Sequence, residues 1–398
     1  MPSLLIFSSY DIGQNYRLLR HAKSFSSLKD SHVTIFAPDV SSLPKEIEKS
    51  ENINFVYLYI WHFPYFIDFV VFPLQYLIIQ FQCFLLYLKS LFSYDFVMST
   101  PWPMFDSIFS LSLSRMFKAK LIFDISYFRF TDKKRALIAR KMEKKVNKIA
   151  DYRICSTRAI QVFLKLLNLQ SSIIHDPPGA QFHSNKVIKK EVFSFLGVSE
   201  RLLIAVLMPS YDSQYLNTIL EDCSKLNQQS VKAAFIIFGS PKIQKEVESV
   251  INNNSQSPQS NNSDFPSKLI MKNSSLHFIP LNTDAYANVL SCCDLGILLS
   301  GTRYGFDYSP ELTEIVACGI PTIVGKGGCM TEVIENGKNG FIYESKEKLY
   351  EILSSILVKK TVNLESLKES MKIHSSNWES EWKDFFVPLL ENSKSKKD

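Results

Sequence analysis

Residues 294–321 read DLGILLSGTRYGFDYSPELTEIVACGIP, and this stretch decides the fold. Leu295–Ser300 is a short apolar run of strand length, and residues 301–308 form a glycine-containing polar loop. Ser309-Pro310 opens a helix that the spacing carries to Ala317, and Pro321–Val324 is the next apolar run. A strand, a loop, a helix and a second strand in so few residues form a parallel α/β unit. In such sheets ligands bind beyond the carboxyl ends of the strands, where loops lead into helix N-termini. Ser309 suits the N-cap and Pro310 the first helical position. The helix start offers free N–H groups and a positive dipole end to a diphosphate. Arg303 can add a two-pronged phosphate contact. Glu314, one turn in, is placed to accept hydrogen bonds from ribose hydroxyls. Glu311 and Glu314 could equally serve only to complement the helix dipole, and spacing alone leaves the two readings level.

The same alternation extends in both directions. Leu202–Leu207, a helix Gln214–Leu226, Ala233–Phe238, a helix near Ile243–Val250, Leu276–Pro280 and a helix Ala285–Cys292 precede the stretch. A helix Met330–Glu335 and a strand Phe341–Tyr343 follow it. Residues 252–268 are rich in Asn, Ser and Gln and read as a disordered surface insertion. An earlier series starts at Leu4–Phe7, with a polar loop at Ser8–Gly13, a helix Tyr16–Leu28 and a strand Val33–Ala37. Asn54–Ile60, Phe96–Ser99, Lys120–Asp124 and Tyr152–Ser156 continue it. The chain breaks near 180–190, after His175-Asp176-Pro177-Pro178. The expectation is two Rossmann-like halves facing a cleft, residues 1–184 and 185–365, with a helical segment and tail over 366–398.

The 398 residues are 46% apolar, which excludes a disordered or fibrous chain. A net charge of +6 favours anionic partners, but the basic residues do not interleave with aromatics as a nucleic-acid module would. Seven cysteines without a C-x-x-C pair argue for a reducing compartment, and no signal-peptide pattern opens the chain. The thirty Phe and seventeen Tyr crowd toward the first third. Within it, Phe69–Leu88 (FVVFPLQYLIIQFQCFLLYL) carries no charge. Pro73 and three glutamines weigh against a full span, so a segment dipping into a membrane ranks above a buried core helix and above a true span. Lys133–Lys148 holds eight basic residues and one acid, with Ile138, Met142, Val146 and Ile149 on one helical face. It reads as a basic amphipathic helix beside lipid headgroups or as an ordinary solvated helix.

The run 294–299, then Gly305-Phe306-Asp307, then 314–321 resembles the donor-binding half of a GT-B glycosyltransferase. Glu332-Val333-Ile334 with Asn336-Gly337-Lys338-Asn339-Gly340 adds to the likeness. Within that superfamily the sequence is most similar to the chitobiosyldiphosphodolichol β-mannosyltransferases. Asp11-Ile12-Gly13 with Arg17, the long apolar segment, and Asp176-Pro177-Pro178 with Phe182 match in order. The resemblance implies inverting transfer of mannose from GDP-mannose to the 4-hydroxyl of the outer GlcNAc of dolichyl-diphosphate chitobiose. It implies no metal cofactor, in line with the absence of any Asp-x-Asp from the sequence. Its implied setting is the cytosolic face of the endoplasmic reticulum membrane, with other glycosyltransferases of the pathway as partners.

Carried over residue by residue, the likeness assigns donor binding to Ser300, Arg303, Gly305, Asp307, Ser309, Glu311 and Glu314. Gly13, Arg17 and Ser126 fall on the acceptor side. Asp11 is the first candidate for general base, with an N-cap role as its alternative; His175 and Asp176 come second. Three positions depart from the family pattern. Ser126 stands where the family has histidine, Glu311 where it has lysine, and Phe306 where it has an acid. They keep two other classes in view: a GT-B enzyme of different donor or acceptor, and a catalytically silent GT-B-like subunit.

Overall fold

The computed structural model describes residues 1–9, 11–38, 43, 45–58, 77–79, 81–82, 84–85, 93–100, 104–126, 145, 147–176, 182, 187–199, 201–208, 213–240, 243–247, 249, 268–270, 273–281, 284–299, 309–327, 329–371 and 378–394. The chain forms two units, Met1–Asp176 with Asn377–Asp398, and Pro177–Ser376. The chain thus leaves the first unit directly after Asp176 and returns to it for the final helix, Trp378–Lys394. A linear reading of 366–398 as a separate tail does not show that return.

The first unit is built on a seven-stranded parallel sheet of order β3-β2-β1-β4-β5-β6-β7. Its strands are β1 Ser3–Phe7, β2 His32–Ala37, β3 Ile53–Tyr57, β4 Phe96–Ser99, β5 Lys120–Ile125, β6 Tyr152–Cys155 and β7 Ser172–Ile173. Strands buried on both faces need continuous apolar sequence, and Leu4–Phe7 is wholly buried. Chain order reverses between β1 and β4, the point at which such sheets open a crevice at their carboxyl edge. The helix Tyr16–Ser26 is capped by Asn15, whose side chain accepts from the Leu18 N–H, and it buries Leu18, Leu19, Ala22 and Phe25.

The second unit has seven strands in the order β10-β11-β9-β8-β12-β13-β14. They are β8 Leu202–Met208, β9 Ala233–Gly239, β10 Lys268–Ile270, β11 Ser274–Pro280, β12 Leu295–Leu298, β13 Thr322–Gly325 and β14 Gly340–Tyr343. Among the described strands β10 alone pairs antiparallel, and it takes in Lys268, the last residue of the expected insertion, whose residues 252–267 lie outside the described residues. The expected helix Met330–Glu335 is a single 3-10 turn over Met330–Glu332. The buried Asn339 side chain stops it, accepting from the Glu335 N–H at 2.8 Å and donating to the Val333 carbonyl at 2.9 Å. Gly337 takes φ +81° in that turn, and a Cβ on Gly340 would lie 2.2 Å from the Thr322 carbonyl oxygen. The Asn-Gly-x-Asn-Gly motif therefore brings β14 against β13.

Candidate active site

The helix Pro310–Ala317 forms as its sequence predicts, over those residues. It follows β12, and β12 lies beside β8 where the order of the second sheet reverses. Gly296 sets its distance from the sheet, since a Cβ there would come 1.9 Å from Ile315 Cδ1. Ser309 occupies the N-cap backbone position, yet its hydroxyl makes no capping bond. Glu314 is engaged by the buried Tyr286 of the helix Asp284–Leu290, whose hydroxyl donates to Oε2. Burial raises Glu314 to about 7, the Tyr286 bond working against that rise and the charge of Glu311 adding to it. Burial raises Glu311 as well. The Tyr286 ring is fixed by Phe238 and Phe182, with centroids 5.0 and 5.5 Å away. Such a carboxylate, oriented by a tyrosine one helix away, can accept hydrogen bonds from a pair of vicinal hydroxyls.

In the first unit a second polar cluster sits at the carboxyl edge of the sheet. Arg17 Nε donates to both oxygens of the fully buried Asp124, at 2.9 and 2.7 Å, and Nη1 to Asp176 at 2.6 Å. Burial alone would raise the Asp124 carboxyl, but the Arg17 charge and His21 bring it down to about 2. Burial would lower the Arg17 guanidinium, and the two carboxylates overcome this to raise it. His21 Nδ1 accepts from the Trp382 indole N–H at 3.1 Å, so its proton is on Nε2, which faces Asp124 at 3.3 Å. Burial lowers His21. Glu381 accepts from the His175 backbone N–H at 2.8 Å and meets His175 Nδ1 at 2.7 Å. Across the switch point, the buried Asp106 accepts from the Ser9 N–H at 3.1 Å, and burial raises it to about 7.

Residues 203–372 match the model of the family described as glycosyl transferases group 1. A chitobiosyldiphosphodolichol beta-mannosyltransferase of Debaryomyces hansenii is 27% identical over 95% of this chain and 85% of its own. The protein of the same name in Candida albicans is 23% identical over 98% of this chain and 88% of its own. Sucrose-phosphate synthase of Thermosynechococcus elongatus superimposes with a TM-score of 0.70 at 14% identity, covering 100% of both chains. The chain has the GT-B fold and carries a group 1 glycosyl transferase domain.

On that frame the predicted residues of this glycosyltransferase separate into groups. Arg17 and Asp176 come together, with Asp124 as the third member. The Asp11 carboxylate accepts from the Gly13 N–H at 2.9 Å, an N-cap for the short turn Ile12–Gln14. Ser126 is half-buried, and its carbonyl accepts from the Ser156 hydroxyl at 3.0 Å. Glu311 and Glu314 lie on one helix as expected, whereas Ser300, Arg303, Gly305 and Asp307 lie outside the described residues. Sequence reading missed Tyr286, His21, Asp106, Trp378 and Glu381 as site residues. The last two carried a signal, since Trp378, Glu381 and Trp382 fall at i, i+3 and i+4 of one helix.

Proposed function

We propose that the protein transfers mannose from GDP-mannose to the 4-hydroxyl of the outer GlcNAc of a dolichyl-diphosphate chitobiose, with inversion. The observation that carries this reading is the length of the likeness to the Debaryomyces protein. It runs through 95% of the chain, so it takes in the first unit as well as the donor-type domain. Donor α-mannose and a β-linked product call for one direct displacement, with a base for the acceptor hydroxyl and stabilisation of departing GDP.

In this reading Glu314 accepts from the ribose hydroxyls and Tyr286 holds it in place. The helix N-terminus at Pro310 and Arg303 of the preceding loop meet the diphosphate, and the reaction is written without a metal. The acceptor is a lipid, and the first unit offers a surface for it. Leu77 and Phe81 are 63% and 60% exposed, and Phe84 and Leu85 are exposed beside them, at i, i+4, i+7 and i+8 of helical residues. Among the described residues no helix is long and apolar enough to cross a membrane. An exposed apolar stripe of this kind suits insertion into one leaflet, here the cytosolic face of the endoplasmic reticulum. Radiolabelled GDP-mannose with synthetic lipid-linked chitobiose tests the reading. The expected product is released by β-mannosidase. Transfer from UDP-glucose in place of GDP-mannose, or no transfer from any nucleotide sugar by folded protein, refutes it.

A further inference from the structure

We propose that Glu381, on the final helix, is a positioning residue that makes His175 the group which takes the proton of the acceptor hydroxyl. The proposal rests on the mannosyl-transfer reading above and adds the base that reading lacks.

The two residues are joined twice. Glu381 Oε2 takes the His175 backbone N–H at 2.8 Å, and Oε1 meets the ring Nδ1 at 2.7 Å. An ionised carboxylate only accepts hydrogen bonds, so Nδ1 carries the proton and Nε2 is the basic nitrogen of the neutral ring. A carboxylate that fixes the tautomer of an imidazole and stabilises the imidazolium is the arrangement that turns histidine into an effective base. Burial would raise Glu381, but its bonds from His175 and the nearby Arg17 hold it below the usual carboxylate range.

Glu381 is itself held by the helix that carries it. Trp378 and Trp382 bracket it and are both buried. The Trp378 indole donates to the Ser24 hydroxyl at 2.9 Å, and the Trp382 indole to His21 Nδ1 at 3.1 Å. Trp382 also stacks on Phe386 at 4.3 Å. Two anchored turns leave the carboxylate little freedom to leave the histidine.

His175 follows β7 by two residues, at the carboxyl edge of the sheet where such folds bind ligands. Its side chain is 31% exposed, against 8% for Arg17 and none for Asp124 and His21, so substrate can reach it. The other candidates are less suited. Asp124 stays ionised down to about 2 and is sealed by Arg17. Asp176 is bound to Arg17, and Asp11 caps its own turn. The charged groups around His175 are Glu381 of the final helix, which meets its ring, Asp176, the next residue, and Arg17 of the helix Tyr16–Ser26, which binds Asp176 and acts on Glu381. Farther along the same helices, Glu379 faces Arg20 and Ser24.

As the acceptor oxygen bonds to C1 of mannose, its proton passes to His175 Nε2. The bond from C1 to the diphosphate oxygen breaks, and its electron pair leaves with GDP. Glu381 keeps its charge throughout.

The test uses the full chain, GDP-mannose and synthetic lipid-linked chitobiose, with Glu381→Gln and His175→Gln variants. Glu381→Gln should lower kcat about 100-fold, within the span of general-base effects, and leave the KM for GDP-mannose within about twofold. The acid limb of its pH–rate profile should move to lower pH, because the imidazolium has lost its carboxylate. His175→Gln should lower kcat at least as far and abolish that limb. Histidine ring 15N–1H spectra of the same proteins, assigned with His175→Gln, should show Nδ1–H in the wild type and a lower titration midpoint in Glu381→Gln. Unchanged kcat in either variant, or an identical ring titration, overturns the proposal. Wild-type protein that ignores lipid-linked chitobiose overturns the acceptor reading instead, and the ring titration then decides whether the His175–Glu381 pair behaves as described.

Discussion

Replacing Arg17 with leucine removes the one cation that, among the described residues, faces Asp124 at hydrogen-bond distance. Three hydrogen bonds go, two to Asp124 and one to Asp176, together with the stacking of the guanidinium 5.5 Å above the Trp378 ring. Asp124 is fully buried, so no water replaces the lost donors. Removing one partner of a buried ion pair costs about 3–5 kcal/mol. The pH dependence gives a second route to the magnitude. Asp124 titrates at about 2 in the folded protein and at about 3.9 when unfolded, a difference of about 2–3 kcal/mol. The folded value is the depressed one, so this stability is present above about pH 4 and is lost as pH falls toward 2. Without Arg17, burial raises Asp124 instead, and the variant's deficit is largest near neutrality and narrows in acid. For a unit of roughly 200 residues each kcal/mol is worth about 2–4 °C, which puts the loss near 10 °C at pH 7. Tryptophan fluorescence follows it directly, because Trp378 and Trp382 pack in this unit's core. Combining Arg17→Leu with Asp124→Asn should recover part of the loss, since the orphaned charge is gone. A single variant that melts within about 2 °C of the wild type at pH 7, or a double variant worse than the single, contradicts the account.

Four further outcomes follow from the geometry. Gly340→Ala places a methyl 2.2 Å from the Thr322 carbonyl oxygen and should destabilise the second unit by about 1–3 kcal/mol, read as a lower denaturant midpoint. GDP affinity should rise as pH passes upward through about 7, where Glu314 ionises. Tyr286→Phe should weaken GDP binding about tenfold at neutral pH, as expected for a lost bond to a charged group; titration calorimetry from pH 5.5 to 8.5 checks both. Phe81→Ser with Phe84→Ser should lower recovery on floated phospholipid vesicles at least tenfold, since each exposed ring is worth about 1.5–3 kcal/mol when buried.

The strands were readable because parallel strands covered on both faces must be continuous apolar runs. Leu4–Phe7 and Ala233–Phe238 admit no other reading once helices flank them. The helix Pro310–Ala317 was readable from Ser309-Pro310 alone, although the Ser309 hydroxyl does not make the capping bond that usually earns serine this position. Local sequence failed where a distant side chain decides the outcome. Asn339 ends the turn at Met330–Glu332 by taking the Glu335 N–H, and nothing within residues 330–335 announces it. Ile149, assigned to the apolar face of a basic helix, is 43% exposed; Ile138, Met142 and Val146 of that reading lie outside the described residues. The site was legible in proportion to its dependence on motifs. Glu314 follows from the loop–helix pattern, whereas Tyr286 meets it only through tertiary packing. Glu381 meets His175 across 206 residues, a separation at which no periodicity carries information.

The arrangement around Arg17 also bears on why so polar a cluster is buried in the first unit. Apolar side chains of similar volume would hold the same space at equal or lower free energy, and the surrounding core of Phe25, Trp382 and Phe386 shows that such packing is at hand. Stability alone therefore does not account for Arg17, Asp124, Asp176 and His21 lying together. Their order does suggest a reason. Asp124, deepest, fixes Arg17; Arg17 fixes Asp176; and His175, the next residue back, is fixed by Glu381. Each charge has its position set by one farther from solvent or by the anchored final helix, and the chain of constraints ends on the one half-exposed imidazole. Arg17→Leu should therefore lower transfer beyond the loss of folded protein. At a temperature well below its melting point, the folded variant should turn over slowly with its GDP affinity intact, and full turnover under those conditions would reduce the cluster to a packing feature.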